Sequence, residues 1–262
     1  MSLSERIRDG LTAPGRSTLA AVSAESGPEF GPESGPEASL EDPGEVRAPY
    51  DPMPHGPDEV GVGPWVGALP LGEQYDADLL AHGDRRNVVD RYRYWRMEAI
   101  VADLDTRRHD FHVAIENWQH DFNIGTIVRT ANAFLAAEVH IVGKRRWNRR
   151  GAMVTDRYQH VRHHETPDAL AAHLHERGVG LMGVDNLPGS EHLETWEMPR
   201  SVCFLFGQEG PGLSEEARQV CDGTFSIAQF GSTRSINASA AAAIAMHSWI
   251  TRYADLDEAW RG

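Results

Sequence analysis

The sequence predicts an α/β fold, a parallel sheet with helices on both faces, and three observations predict it. Short apolar runs at residues 111–115, 139–142, 179–184 and 202–206 alternate with segments of helical spacing. The run at 202–206 is strongly apolar, as a strand covered on both faces has to be. Glycine-bearing turns also follow the runs, at the carboxyl ends where sheets of this kind bind ligands.

Element by element, folded structure is expected to begin near residues 65–85. Residues 85–107 read as a helix, with Val88, Tyr92, Trp95, Ala99 and Leu104 near helical spacing and Arg85, Arg86, Arg91, Arg93 and Arg96 crowding its first half. Phe111, Val113 and Ile115 then mark a strand, and residues 123–136 a helix capped by Asp121 or Asn123. A strand at 139–142, a helix at 168–177, and strands at 179–184 and 202–206 follow. Residues 214–220 read as a helix with Ser214 as N-cap and Glu215 and Glu216 in its first turn. A short strand at 225–228 and a long alanine-rich helix at 237–253 complete the pattern.

Charge divides the chain. Residues 1–82 carry 15 acidic and 4 basic side chains, whereas residues 83–262 carry 24 and 21. The overall charge of −14 therefore comes mainly from the N-terminal third and does not exclude a polyanionic partner. Residues 1–64 are rich in Gly, Pro, Glu and Ser, echo Gly-Pro-Glu three times, and are expected to be an acidic disordered segment. Residues 65–108 are expected to form a linker with the arginine-rich helix, and residues 109–262 the main domain. No apolar stretch is long enough to span a bilayer, and the N-terminus lacks a secretory pattern. Cys203 and Cys221 can build neither a disulfide framework nor a four-thiolate site. A reducing, cytoplasmic setting without membrane attachment is the expectation.

Four segments carry the candidate chemistry. Gly207-Gln208-Glu209-Gly210-Pro211-Gly212-Leu213 follows a strand and enters a capped helix, either as a ligand-approaching loop or as a tight turn. The segment 231–240 leads hydroxylated residues into the terminal helix, where Ser235 or Asn237 serves as N-cap, anion ligand or both. Arg129 lies six residues after Asn123 on a largely apolar helix and has to reach either a carboxylate or a cleft. Lys144, Arg145, Arg146, Arg149 and Arg150 surround Trp147, a mixture of cations and an aromatic ring suited to phosphate and base contact in RNA. His160, His163 and His164 lack a recognisable ligand pattern and are expected to be surface residues, with no metal bound. The glycines at 61, 63 and 67 follow no strand and are discounted as a dinucleotide fingerprint.

Together, Asn123-x-Gly125-x-x-x-Arg129-Thr130-Ala131, Gly207-x-Glu209-x-x-Gly212-Leu213 and Ser235-Ile236-Asn237-Ala238-Ser239-Ala240 resemble, in that order, the three motifs of the SpoU/TrmH branch of the SPOUT RNA methyltransferases. The resemblance extends over about residues 85–253. It implies a C-terminal trefoil knot, a homodimer, S-adenosylmethionine as cofactor, and methylation of a ribose 2′-hydroxyl in tRNA or rRNA. It further implies Arg129 as the catalytic arginine, Asn123 as its neighbour, Glu209 as an orienting group, and Ser235 and Asn237 as residues that complete the site. Phe206, Gly207, Gln208, Glu209, Gly212, Ile227, Ile236 and Ala238 are implied to hold the cofactor. The arginine-rich segment holding Arg85, Arg86, Arg91 and Arg93 is similar to that of short members acting on a D-loop guanosine of tRNA, so tRNA leads and rRNA follows. Three positions depart from the pattern: Leu135 stands where the first motif commonly has glycine, and Ala228-Gln229 where the third commonly has Pro-Met. Two readings of other kinds compete, a catalytically silent RNA-binding member and a nucleotide-dependent α/β enzyme on an ordinary open sheet. The retained polar residues disfavour the first, and the missing glycine fingerprint and Walker loop the second.

Overall fold

The computed structural model of the chain describes residues 61–119 and 121–259. In chain order they form helices α1 (Ala77–His82) and α2 (Met97–Asp105), strand β1 (Phe111–Asn117), α3 (Ile124–Ala133), β2 (Val139–Gly143) and β3 (Val161–His164). There follow α4 (Pro167–His175), β4 (Gly180–Val184), β5 (Glu191–His192), β6 (Val202–Phe206), α5 (Glu215–Val220), β7 (Gly223–Ser226) and α6 (Ala238–Tyr253). All seven strands join one parallel sheet in the order β3-β2-β1-β6-β4-β7-β5. The expected acidic segment at 1–64 lies, apart from residues 61–64, outside the described residues.

Strand alternation sorts the core into two layers. Phe111, Val113 and Ile115 of β1 and Val202, Phe204 and Phe206 of β6 pack with Ile124, Ile127, Val128 and Ala131 of α3 and with Ala242, Ala245, Met246 and Trp249 of α6. Their neighbours Ala114, Cys203 and Leu205 point the other way, onto Leu170 and Leu174 of α4 and Ala217 of α5. Helices thus cover both faces, and the parallel strands bring the ends of β1, β2, β4, β6 and β7 to one edge. Local chemistry sets the element boundaries. Thr166 caps α4 by accepting from the Ala169 amide at 3.2 Å, with Pro167 as its first residue, and Ser214 caps α5 from Ala217 at 3.1 Å.

The arginine-rich helix is corrected. Residues 85–96 contain one short 3-10 turn, Asp90–Tyr92, and the α-helix starts only at Met97. Tyr94 is left-handed at φ 62°, which ends any continuous helix. The fully buried Asp84 carboxylate explains the shape: it accepts from the Arg86 amide, Nε and Nη2 and from the Tyr94 amide, at 2.6–3.0 Å. Burial pushes this carboxyl up, but the Arg86 and Tyr94 hydrogen bonds and the Arg86 charge outweigh it and hold it below the usual aspartate range. Arg93 donates to the Arg86 carbonyl at 2.5 Å, and Arg91 pairs with Asp103 at 2.6 Å. Arg86, Arg91 and Arg93 are therefore engaged within residues 84–103.

Smaller differences have equally local causes. β3 and β5 are strands the pattern does not predict, because Val161-Arg162-His163-His164 is largely polar and β5 has two residues. The strand expected at 225–228 runs at Gly223–Ser226, which leaves Ile227 and Ala228 beyond the ladder. α3 ends at Ala133 in a left-handed turn at Leu135 (φ 54°), closed by the Ala136 amide on Ala131 O at 2.9 Å and the Leu135 amide on Asn132 O at 3.2 Å. His164 is buried, contrary to the surface expectation, and lies beside His140 and His173.

Candidate active site

The site is built at the carboxyl edge, where the loops after β1, β6 and β7 meet. Asn237 caps α6: its Oδ1 accepts from the amides of Ser239 at 2.9 Å and Ala240 at 3.3 Å and from Ser239 Oγ at 2.5 Å. This fixes the amide orientation, so Nδ2 has to donate, and it does so to Asn123 Oδ1 at 2.9 Å. Asn123 Nδ2 in turn donates to Glu209 Oε2 at 3.1 Å. A directional relay, α6 amides to Asn237 to Asn123 to Glu209, therefore joins residues 114 positions apart in sequence. Asn123 stands at the start of α3 without capping it, because its side chain is committed to this relay. Asp121 does not cap it either, since its carboxylate accepts from the Asn148 amide at 2.6 Å.

Arg129 projects from α3 into solvent and has no ion-pair or hydrogen-bond partner among the described residues. The structural ion pair open to it in the sequence is not formed. Ser235 is exposed in the segment 231–237, which is exposed throughout. Asn237, not Ser235, is the N-cap.

The 207–213 loop folds back on itself, with Gln208 and Gly212 exchanging amide–carbonyl bonds at 3.1 and 3.0 Å. A Cβ on Gly207 would lie 2.0 Å from the Gly212 carbonyl carbon, so only glycine closes this turn. Gln208 Oε1 accepts from the Trp118 and Gln119 amides at 3.2 and 2.5 Å, which commits its side chain to joining two loops. Phe206 is buried in the core and can offer a ligand only its backbone. Ile227 is half-buried against the core, Ala238 opens α6, and Ile236 and Phe230 are exposed beside them.

Four supporting polar residues escape the motif-based reading. Buried Glu116 accepts from Trp118 Nε1, Ser214 N and Ser214 Oγ at 2.6–2.8 Å. Asp185 holds the Leu213 amide at 2.9 Å, and Asn186 Nδ2 holds the Arg234 carbonyl at 2.8 Å. Asn117 Nδ2 spans the carbonyls of Lys144 and Arg146 at 2.7 and 2.8 Å, fixing the start of the basic loop. The available signal is positional: each polar residue ends or follows an apolar strand.

The basic loop lies next to this edge. Lys144, Arg145, Arg146, Arg149 and Arg150 are exposed, Trp147 is half-buried, and the Arg149 guanidinium stacks 5.5 Å from its ring centre while pairing with Asp156. The loop packs against α3 at Gly125, where a Cβ would come within 2.7 Å of the Ala152 nitrogen and Gly151 Cα. Arg85 is exposed on the N-terminal arm, apart from this loop in sequence. Among the described residues no helix is long and apolar enough to cross a membrane. Burial pushes the thiols of Cys203 and Cys221 up, the latter to about 12.

Comparison with known proteins gives a consistent result. Residues 110–247 match the SpoU rRNA Methylase family. The chain is 28% identical over 155 residues to a tRNA (guanosine(18)-2'-O)-methyltransferase of Escherichia coli (strain K12), spanning 58% of this chain and 68% of that protein. Its fold matches the A. aeolicus TrmH/SpoU tRNA modifying enzyme with a TM-score of 0.54 at 20% identity, over 60% of this chain and 82% of that one. It also matches the SpoU methyltransferase AviRb from Streptomyces viridochromogenes in complex with the cofactor AdoMet, with a TM-score of 0.51 at 24% identity, over 57% and 63% of the two chains.

Proposed function

The chain belongs to the SpoU rRNA methylase family, which matches more than half of its length, and from that premise we propose that it transfers a methyl group from S-adenosylmethionine to a ribose 2′-hydroxyl of RNA. The observation that carries the proposal is the Asn237–Asn123–Glu209 relay, with Arg129 exposed further along the same helix α3 and without a partner among the described residues. Three sequence-distant motifs converge on one exposed polar cluster at the edge where parallel sheets bind ligands.

The residues fit the cofactor. The exposed segment 231–237 follows exposed Phe230 and carries Ile236, a combination of open chain and apolar side chains suited to a purine and its sugar. The closed turn of Gly207 to Gly212 offers backbone without side-chain obstruction. When bound, the cofactor supplies an electrophilic methyl group on a sulfonium.

A ribose hydroxyl is a weak nucleophile and gains negative charge at oxygen as its proton leaves. A guanidinium stays charged in proteins and is unsuited to taking that proton. In the proposed role Arg129 aligns the hydroxyl and stabilises the developing charge. Glu209, oriented by Asn123 Nδ2, is the acceptor placed to hold the substrate or its proton, and Ser235 positions a neighbouring phosphate. The exposed basic loop then supplies sequence-independent contact to the RNA backbone.

tRNA is the leading substrate, with the D-loop guanosine favoured. The relationship to a tRNA (guanosine(18)-2'-O)-methyltransferase supports this reading. Insertion of β6 between β1 and β4 and the bond from Asn186 to the Arg234 carbonyl support a trefoil knot formed by the segments after β4 and β7. A homodimer is part of the same reading, as is a cytoplasmic location. The test is methyl transfer from labelled S-adenosylmethionine to unmodified tRNA and, separately, rRNA, followed by nucleoside analysis. A 2′-O-methylguanosine in tRNA alone is the expected product. A base-methylated nucleoside, or no transfer to either RNA, would overturn the assignment.

A further inference from the structure

We propose that His140, His164 and His173 form a binding site for one divalent transition-metal ion of the zinc class, on the sheet face opposite α3 and α6. In the parallel ladders Ala114 pairs with His140 and Val142 with His164. His112, His140 and His164 therefore step diagonally across β1, β2 and β3 on the face that α4 covers. His140 Nδ1 lies 3.0 Å from His164 Nε2, and one nitrogen from each of His140, His164 and His173 falls within 4.8 Å of the others. A tetrahedral zinc ion with Zn–N bonds of about 2.0–2.1 Å sets its ligand nitrogens about 3.3–3.4 Å apart. Small ring rotations bring the three imidazoles to that spacing.

The surroundings are those of a ligand set with supporting contacts. His140 Nε2 lies 3.0 Å from His112 Nδ1, and His173 Nε2 lies 3.2 Å from Glu138 Oε2. With the ion on His140 Nδ1, the other nitrogen keeps its proton and donates to His112, which fixes the tautomer. The Glu138 carboxylate orients His173 in the same way. Arg162, which lines the same cavity, pairs with Glu138 Oε1 at 2.5 Å. His164 and His173 meet edge-on, with ring centres 5.1 Å apart and planes at 63°. A cavity of about 390 Å³, lined by Arg145, Val161, Arg162, His163, His164 and His173, opens onto the two and gives an ion an entry path and room for a water ligand.

The ion would tie the edge strand β3 to β2 and α4. The test uses the untagged full-length chain, stripped with chelator, dialysed and titrated with Zn²⁺ and with Co²⁺. One equivalent of tightly bound ion, four-coordinate Co²⁺ visible absorption and a Zn²⁺-dependent rise in melting temperature are expected. His173→Gln, at a half-buried helix position, is expected to stay folded by circular dichroism and bind at least tenfold more weakly. His175→Gln, exposed on the same helix, is expected to bind like wild type. No stoichiometric ion in the wild type, or equal binding by His173→Gln, would overturn the site.

Discussion

At the scale of single residues, Arg129 and Leu135 make opposite points about α3. Arg129 is held by no partner among the described residues, so its replacement should leave the fold intact and act on the reaction. Arg129→Lys keeps a cation but loses the planar, two-pronged donor. A fall in kcat of about 100–1000-fold is expected, the range seen when one charge-stabilising donor is removed. Cofactor affinity, measured by calorimetry, should change less than about twofold on the same grounds. Leu135 is held in a left-handed conformation that closes the end of α3. A left-handed non-glycine residue costs about 1–2 kcal/mol, part of which glycine gives back through its freer unfolded chain. Leu135→Gly should therefore raise unfolding stability by up to about 1 kcal/mol in urea. The sequence marks Leu135 as a departure from a glycine position, and the backbone shows why glycine belongs there.

At the scale of elements, the basic loop and α3 work as one unit through Gly125. A methyl group there meets main chain within 3 Å on the loop, so it cannot be relieved by a side-chain rotation. Gly125→Ala should push the loop off the helix, at a cost of about 1–3 kcal/mol, and weaken RNA binding as well. Equal stability and binding in the variant would show the packing there to be loose. Arg145→Ala and Arg146→Ala remove exposed cations only. The logarithmic salt dependence of RNA affinity should then flatten by about 0.7–0.9 for each phosphate that is no longer neutralised.

Legibility in the sequence follows the same lines. β1, β2, β4 and β6 announce themselves because strands buried on both faces have to be apolar, and Ser214 announces α5 because a cap needs a hydroxyl. β3 is hidden because it looks polar: His164 turns inward onto His140 of β2, and His163 bonds the Gly143 carbonyl. The 85–107 segment misleads for a related reason: its aromatic spacing suits a helix, but the buried Asp84 carboxylate draws Arg86 and Tyr94 into a turn. The relay residues Asn123, Glu209 and Asn237 are legible as three motifs, whereas Glu116 and Asp185, which hold the loops from below, carry no spacing at all.

On the scale of the whole molecule, Asp84 is the buried charge that holds residues 84–94 in their turn. Its carboxyl is held below the ordinary value in the folded state. Such a group adds stability above the unfolded pKa of about 4 and loses it as pH falls through the lowered folded value. Urea midpoints of the wild type should thus drop more steeply below about pH 4 than those of Asp84→Asn. At neutral pH the same substitution leaves Arg86 half-buried without its partner and should cost about 3 kcal/mol.

The position of β6 between β1 and β4 has a consequence for how the protein is made. A growing chain has β1, β2 and α3 available early, but the gap beside β1 stays open until residues 202–206 leave the ribosome. Asn123 then waits longer still, for Asn237 to arrive and orient its amide. Under the proposed function, competence for the reaction is therefore acquired last, when synthesis has reached α6, and a product released before that point has the early motifs without the relay that joins them.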